Sequence, residues 1–285
     1  GANSSVALMT AKPSSGSAWR RAAFSSAMAR SEPKWPRWAS PTLVTTAMRG
    51  FARRARRAEL RIGIPRVLNI WSTHRFWTGF LVALGVAPGN IVFSSQTSEE
   101  QFKQFGKGRA TVDCCYPVKC MSGHYGELLT HKKDIQVLLS PMIFSLPSWL
   151  RGSAQDTLSC SRVMAAPESI KAGFLKEGDA FRGRGGSYVS PPVSLGEPRL
   201  VPKQLFESLK AVLDLEIGET TRAVEHGYAA LDDFNQRMRA RTREILTWCA
   251  RESKPCILIL ARPYHMDSGI GHEIEVDLQA GGYPI

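Results

Sequence analysis

The fold is decided by residues 60–93, LRIGIPRVLNIWSTHRFWTGFLVALGVAPGNIVF. Ile62-Gly63-Ile64 opens a short apolar strand, and Pro65, with no N–H to donate, marks an edge position or a strand end. Phe76, Trp77, Phe80, Leu81 and Leu84 then recur at helical spacing, with Gly85 as the stop. Asn90 to Phe93 reads as a second strand, and Ser98 can cap a helix running to about Phe105. Strand–helix–strand–helix alternation predicts an α/β fold, a parallel sheet with covering helices.

Downstream the same pattern continues. After a β-prone stretch, Ala110 to Val112, a helix is predicted from Pro117 to Thr130, with the proline in its first turn. Ile135 to Leu139 is a continuous apolar run suited to a strand buried on both faces, and Pro141 ends it. Pro167-Glu168 opens another helix, and the Gly- and Pro-rich residues 173–198 read as a surface connection. Leu205, Phe206, Leu209, Val212 and Leu213 form a helical stripe that Gly218 breaks. A second stripe from Val224 to Cys249 predicts one long helix near 219–251, about 50 Å at 1.5 Å per residue. Its Arg237, Arg239, Arg241 and Arg243 read as a solvated face. Cys256 to Ala261 is the next predicted strand, and Ile274 to Leu278 begins the last helix.

Charge and composition divide the chain. The 285 residues carry a formal +12, but residues 1–60 hold 11 Lys/Arg against 2 Asp/Glu, leaving only +3 for residues 61–285. Ala, Arg, Ser, Thr and Pro fill 39 of the first 60 positions, with no Ile, Asp, Cys or His among them. So few branched apolar residues bury too little surface to offset chain entropy, so residues 1–59 are expected to be a disordered basic leader. It could be a transit peptide or non-native sequence, and residues 60–285 are the expected domain. The chain opens at Gly1 and ends at Tyr283-Pro284-Ile285, which reads as a piece cut from a longer protein. The folded part is nearly neutral, so nucleic acid is not its expected partner. The Arg-Gly run Arg182–Gly186 reads as a flexible loop. No apolar run exceeds Cys256–Ala261, far below the roughly 20 residues of a membrane span, so no membrane association is expected. The six cysteines, in a chain too long to need stapling, read as reduced thiols of a cytoplasmic protein.

Three places could carry chemistry. In residues 113–124, DCCYPVKCMSGH, Cys115 precedes a helix start, where unpaired amides and the helix dipole favour the thiolate. Lys119 and His124 lie one and two turns further on. Cys115 is a cluster ligand or reactive thiol on one reading, a small buried residue at a strand–helix junction on the other. Cys115 and Cys120 have no matching second pair, so zinc is poorly supported. Cys160, in TLSCSRVMAAPE (157–168), again stands in a loop just before a helix, where α/β sheets bind ligands. In ILARPYHMDSGIGHEIE (259–275), Arg262, Tyr264, His265, Asp267, His272 and Glu273 crowd the turn after an apolar strand. An anion site or a proton-transfer site would use these groups. A capped turn whose His and Asp satisfy one another would use them equally well.

At these places the sequence resembles the domain of unknown function carried by CoA enzyme activases, relatives of the activators of 2-hydroxyacyl-CoA dehydratases. IGIPRVLNIW, CYPVK, SLPSWL followed by TLSC, ARPYHMDSGIGHEI and GGYPI stand in that family's order and approximate spacing, over about residues 60–285. The resemblance implies Rossmann-like layers, as in the dehydratase subunits. It also implies a system in which ATP hydrolysis drives a low-potential electron into a cysteine-ligated cluster of a partner. The implied partners are an actin/Hsp70-type ATPase region and an acyl-CoA dehydratase-like protein. Family-like positions fall on Cys115 and Cys160, as ligands of a 4Fe-4S cluster, and on His265 and His272. His265, Asp267, His272 and Glu273 would line the adjoining cleft as proton donors or ligand contacts, with Lys119, His124, Arg262 and Tyr264 as cofactor contacts. Ser122 stands where the family often has His, and Gly271 where it often has Asn. Such clusters take three or four thiolates, so further ligands would come from beyond Ile285, from a partner, or from Cys114 or Cys120. The chain has no P-loop, so ATP is expected to act only through a separate or upstream ATPase region. A non-catalytic interaction or scaffold domain with structural cysteines is the alternative expectation.

Overall fold

A computed structural model describes residues 41–109, 114–131, 134–148, 158–176, 178, 181 and 186–285. The whole of β1, Ile62–Ile64, is buried and lies between two parallel neighbours, β2 (Ile91–Phe93) and β3 (Val137–Leu139), with Ile62 opposite both Ile91 and Val137. Pro65 therefore ends a central strand, not an edge one. With β5 (Ser187–Val189) the sheet order is β2-β1-β3-β5, all parallel. A second parallel pair, β4 (Met142–Ser145) with β6 (Pro192–Ser194), continues β3 and β5 beyond Ser140-Pro141 and Ser190-Pro191. The pairing carries across this double break: the Ser140 amide donates to Val189 O (2.9 Å) and the Met142 amide to Pro191 O (2.9 Å). A proline removes one donor from each strand at the same level, so the two strands bend together.

Alternate side chains of the sheet enter two cores. Ile62, Ile64, Val137, Leu139 and Val189 pack with α2 (Asn69–Ala83), α6 (Val201–Leu213) and α7 (Ile217–Arg251). On the other face, Leu138 packs with α4 (Tyr116–Gly126) and α5 (Ser161–Leu175), with Val92 and Tyr188 against the same cluster. This is the layered parallel α/β architecture, with helices on both faces. Gly63 is required here, because a Cβ would stand 2.6 Å from Ile135 Cδ1. Between β2 and α4 lies α3 (Glu99–Gln101), capped by the Ser98 hydroxyl and continued by a π turn, Phe102–Gly106.

Helices α2 and α7 meet at glycines. A Cβ on Gly79 would lie 2.8 Å from Ala230 Cβ, and one on Gly227 would lie 2.9 Å from the Phe76 ring. Phe76 stands edge-on to Trp77 (5.1 Å) and Tyr228 (5.0 Å), so the crossing is filled by aromatic edges instead of β-carbons. The chain reverses between α6 and α7 at Asp214, in the left-handed region (φ 50), and Glu216 with Glu219 closes a reciprocal cap. Gly218 is thus inside α7 and breaks nothing.

Part of the basic leader expected to lack a fold is helical. The chain divides into units Gly1–Arg49 and Gly50–Ile285, and α1 spans Pro41–Glu59. In the second unit Arg57 is 1% exposed and grips Glu219 with both nitrogens (2.8 and 2.9 Å) while reaching Leu213 O (3.2 Å). Arg54 donates to Ala83 O (2.9 Å), and Arg53 pairs with Glu216 (2.8 Å). Arg54 and Arg57 thus sit at the carboxyl ends of α2 and α6, where free carbonyls attract cations. Composition misses this because the arginines are held by other elements' carbonyls and carboxylates, not by an apolar core. Residues 1–40 lie outside the described residues.

Three further expectations differ. Helix α5 begins at Ser161, six residues before Pro167, which costs only the one amide that would have bonded back to Val163. Residues 173–198 contain β5 and β6, three-residue strands bounded by proline. Cys256–Ala261 joins no sheet among the described residues, and its Leu258 and Leu260 are 81% and 88% exposed. Ala110–Val112, Arg182–Gly185 and the end of SLPSWL lie outside the described residues. Among those described, no helix is long and apolar enough to cross a membrane.

The glycine crossing makes a direct prediction. Gly79→Val is expected to destabilise by about 2–3 kcal/mol through overpacking. Gly89→Ala, where an added carbon meets nothing within 4 Å, is expected to stay within about 0.5 kcal/mol of wild type in the same urea titration.

Candidate functional site

In a sheet ordered β2-β1-β3-β5 the ligand crevice is expected between β1 and β3, whose following chains leave in opposite directions. Here that crevice is closed. Pro141, Ile143, Val67, Met121, Val163 and Pro167 leave a space of about 10 Å³, and Asn69 Nδ2 donates across to Ser159 Oγ (2.7 Å). The run-on of β3 into β4 is what fills it. The open cavity, about 270 Å³, lies instead at the carboxyl ends of β1 and β2. Arg66 follows β1 and Gln96 follows β2; Trp71 and His74 come from α2, Phe234 from α7, and Met266 and Ser268 from the loop after Arg262. None of these was singled out as a site residue: Arg66 and Trp71 lie in IGIPRVLNIW and Met266 and Ser268 in ARPYHMDSGIGHEI, but the four segments are far apart in the chain and only the fold brings them together.

Behind this cavity runs a buried hydrogen-bond relay. The Arg66 amide donates to Ser94 Oγ (2.8 Å), which leaves the Ser94 hydroxyl proton for His124 Nδ1 (2.7 Å). Gln101 Nε2 also approaches Nδ1 (3.4 Å), and an amide can only donate there, so the ring proton belongs on Nε2. His124 Nε2–H then donates to Thr97 Oγ1 (2.9 Å), and the Thr97 hydroxyl donates to Asp267 Oδ2 (2.5 Å). Ser94, Thr97, His124 and Asp267 are all buried. Burial pushes the Asp267 carboxyl above its ordinary range, opposed by the Thr97 hydroxyl, the Gly269 amide and the Arg66 charge. A second buried carboxylate, Glu127, accepts from the Ser95 amide (3.0 Å), the Ser95 hydroxyl (2.9 Å) and Gln101 Nε2 (2.8 Å). Gly269 lets the loop close: a Cβ there would be 2.0 Å from Thr97 O.

Of the residues singled out in the sequence, the relay unites His124 and Asp267, which are 143 positions apart by number. The other polar groups of the Arg262–Glu273 loop do not join it. His265 lies in a 3-10 turn, Pro263–Met266, its ring against Tyr264 (4.9 Å) and its Nδ1 on Arg262 O (3.3 Å). His272 is exposed in the left-handed region (φ 57) and stacks on Tyr116 at 5.1 Å. Glu273 is exposed at the start of α9 (Ile274–Ala280), past the short turn α8 (Ser268–Gly271), and Lys119 is half-buried in α4. Asp267 is thus bonded at Oδ2 by Thr97, not by a neighbouring histidine, and its Oδ1 is buried without a hydrogen-bond partner.

The two singled-out thiols stand elsewhere, at adjacent helix starts. Cys115 is exposed and directly precedes α4; Cys160 is half-buried and directly precedes α5, which packs on α4. Amides of Arg162 and Val163 bond the Cys160 sulfur and hold its pKa below the usual thiol value, helped by Arg262 and Arg162. The buried Tyr264 hydroxyl lies within electrostatic reach of both Cys160 and Cys115. Desolvation raises Cys120 to about 11, which makes it inert. Among the described residues no group of three or more His, Cys, Asp or Glu side chains could hold a metal ion. Cys115 and Cys160 therefore do not complete an iron–sulfur site on their own.

Residues 61–285 match the family model described as the CoA enzyme activase uncharacterised domain. No curated protein and no solved structure matches the chain.

Two measurements test this geometry. In a limited iodoacetamide reaction at neutral pH, peptide mapping is expected to show Cys160 modified well before Cys120; the reverse order would refute the helix-start assignment. The second concerns Asp267. The unfolded chain releases this proton at the ordinary aspartate value and the folded chain at a higher pH. Between the two the folded state binds more protons, so stability falls as pH rises. Asp267→Asn removes the titration and keeps an acceptor for Thr97. Its stability relative to wild type, from urea unfolding at several pH values, is expected to rise through that window and then level off.

Proposed function

This chain belongs to the CoA enzyme activase uncharacterised-domain family, and on that premise we propose that it is an activase-associated electron-transfer module. It would work with an actin/Hsp70-type ATPase region and an acyl-CoA dehydratase-like partner, in a reducing compartment such as the cytoplasm. Cys115 and Cys160 supply two thiolates of an iron–sulfur site, and its remaining ligands come from a partner or from residues outside those described. The observation that carries the reading is that both thiols stand at starts of packed helices and lie within electrostatic reach of one Tyr264 hydroxyl.

A bound cluster would supply one-electron chemistry. The chain's own residues prepare the place. Amides of Arg162 and Val163 stabilise negative sulfur at Cys160, and Arg262 adds positive charge nearby. Tyr264 adds a buried ring close by. The Thr97–Asp267 bond pins the loop that carries Arg262 and Tyr264, so the relay acts as a positioning device for the thiol pocket. His272, exposed, and His265, half-buried, would be contacts for a partner on that loop.

The second reading is a scaffold domain with structural cysteines. Its supporting observation is that the described residues hold no metal-sized cluster of ligands. Anaerobic purification with iron and acid-labile sulfide counting separates the two. Equal iron and sulfide in wild type, lost to background in Cys115→Ser and in Cys160→Ser with unchanged unfolding midpoints, is the expected result. Metal-free wild type, indifferent to both substitutions, leaves the scaffold reading.

A further inference from the structure

The cavity at the ends of β1 and β2 has a chemistry that the thiol pocket does not use. Its single charged lining group is Arg66, whose Nε is buried and has no hydrogen-bond partner. Among the described residues the Arg66 guanidinium makes no ion pair. The Asp267 carboxyl feels the Arg66 charge but forms no ion pair with it, and its Oδ2 accepts the Thr97 hydroxyl. An unpaired cation in a partly closed cavity is expensive unless an anion visits it.

The remaining walls are largely aromatic, with a polar side at Gln96 and Ser268. The His74 ring is held edge-on by Phe234 (5.6 Å) and Phe93 (6.2 Å), and its Nδ1–H donates to Trp71 O (2.9 Å). Burial lowers the His74 pKa, with Arg75 and Arg66 acting in the same direction, so the ring is a neutral wall at neutral pH. Trp71 and Met266 line the same space, and Gln96 hydrogen-bonds Ser268 at its polar side. The volume, about 270 Å³, lies just under the ~300–1,000 Å³ of small-molecule sites. That admits one ring or short acyl body with its headgroup, not a dinucleotide.

We propose that this cavity binds a small organic anion, with its carboxylate or phosphate on Arg66 and its apolar body against Trp71, His74 and Phe234. Arg66 is suited to the headgroup, since a guanidinium presents a planar fork of donors to an oxyanion. The proposal does not rest on the cysteine site: the thiols lie within electrostatic reach of Tyr264, which does not line this cavity.

Calorimetric titration of the full chain with phenyl phosphate, phenylacetate, inorganic phosphate and benzyl alcohol tests it. At least one of the two aromatic anions is expected to bind saturably, and the tighter of them identifies the headgroup. Arg66→Gln should weaken that binding about ten-fold or more, the cost of a lost charge-assisted hydrogen bond. The variant should stay folded by circular dichroism, because the Arg66 Nε has no hydrogen-bond partner to lose. Phe234→Ala should weaken the aromatic anions and leave inorganic phosphate unaffected. Failure of both aromatic anions to bind, or binding indifferent to Arg66→Gln, overturns the proposal. So does benzyl alcohol binding as tightly as the anions. Inorganic phosphate binding as tightly as phenyl phosphate overturns the role of the apolar wall.

Discussion

The close crossing of α2 and α7 at Gly79 and Gly227 is the constraint on which the rest of this structure depends. With no β-carbon at either position, the helices approach until Phe76 lies on the backbone of α7. That approach fixes register as well as distance. Five residues before Gly79, His74 meets Phe234, seven residues after Gly227, so the helices run antiparallel and carry one aromatic wall of the open cavity between them. The Arg57–Glu219 pair then anchors the start of α7 to α1. A buried ion pair of this kind contributes little net stability beside well-packed apolar groups, but it specifies which surfaces meet.

A second constraint is the polar relay. It ties the loop after β1, the loop after β2, helix α4 and the loop carrying Asp267 into one hydrogen-bonded chain. In a low-dielectric interior such a chain is strong when every member is satisfied and costly when one is lost. It shares Arg66 with the open cavity, and its Asp267 stands three residues after Tyr264 in the loop that also carries Arg262.

Much of the scaffold was legible in the sequence because it rests on local signals. The β1–α2–β2 unit follows from apolar periodicity and its glycine and proline stops, and α7 from the helical stripe between Val224 and Cys249. The helix starts after Cys115 and Ser98 follow from capping and proline placement. Strands β5 and β6 were hidden because three residues flanked by proline carry too short a pattern to separate from a loop. Cys256–Ala261 misled in the other direction: a continuous apolar run reports a capacity to pair, and pairing needs a neighbour. Net charge misled too, because Arg53, Arg54 and Arg57 spend theirs on carbonyls and carboxylates of other helices.

By itself the sequence determined the parallel α/β class, the long helix and the position of Cys115 at a helix start, and it singled out His124 and Asp267 only as candidates among other polar groups. These are properties of segments about one or two elements long, where periodicity and capping act directly. Only the tertiary structure decided that His124 and Asp267 meet through Thr97, that the β1/β3 crevice is shut, and that Arg66 opens into a cavity walled by α2 and α7. Each of those facts joins residues far apart in the chain, and what joins them is packing: two glycines that let helices touch, and two prolines that bend paired strands together.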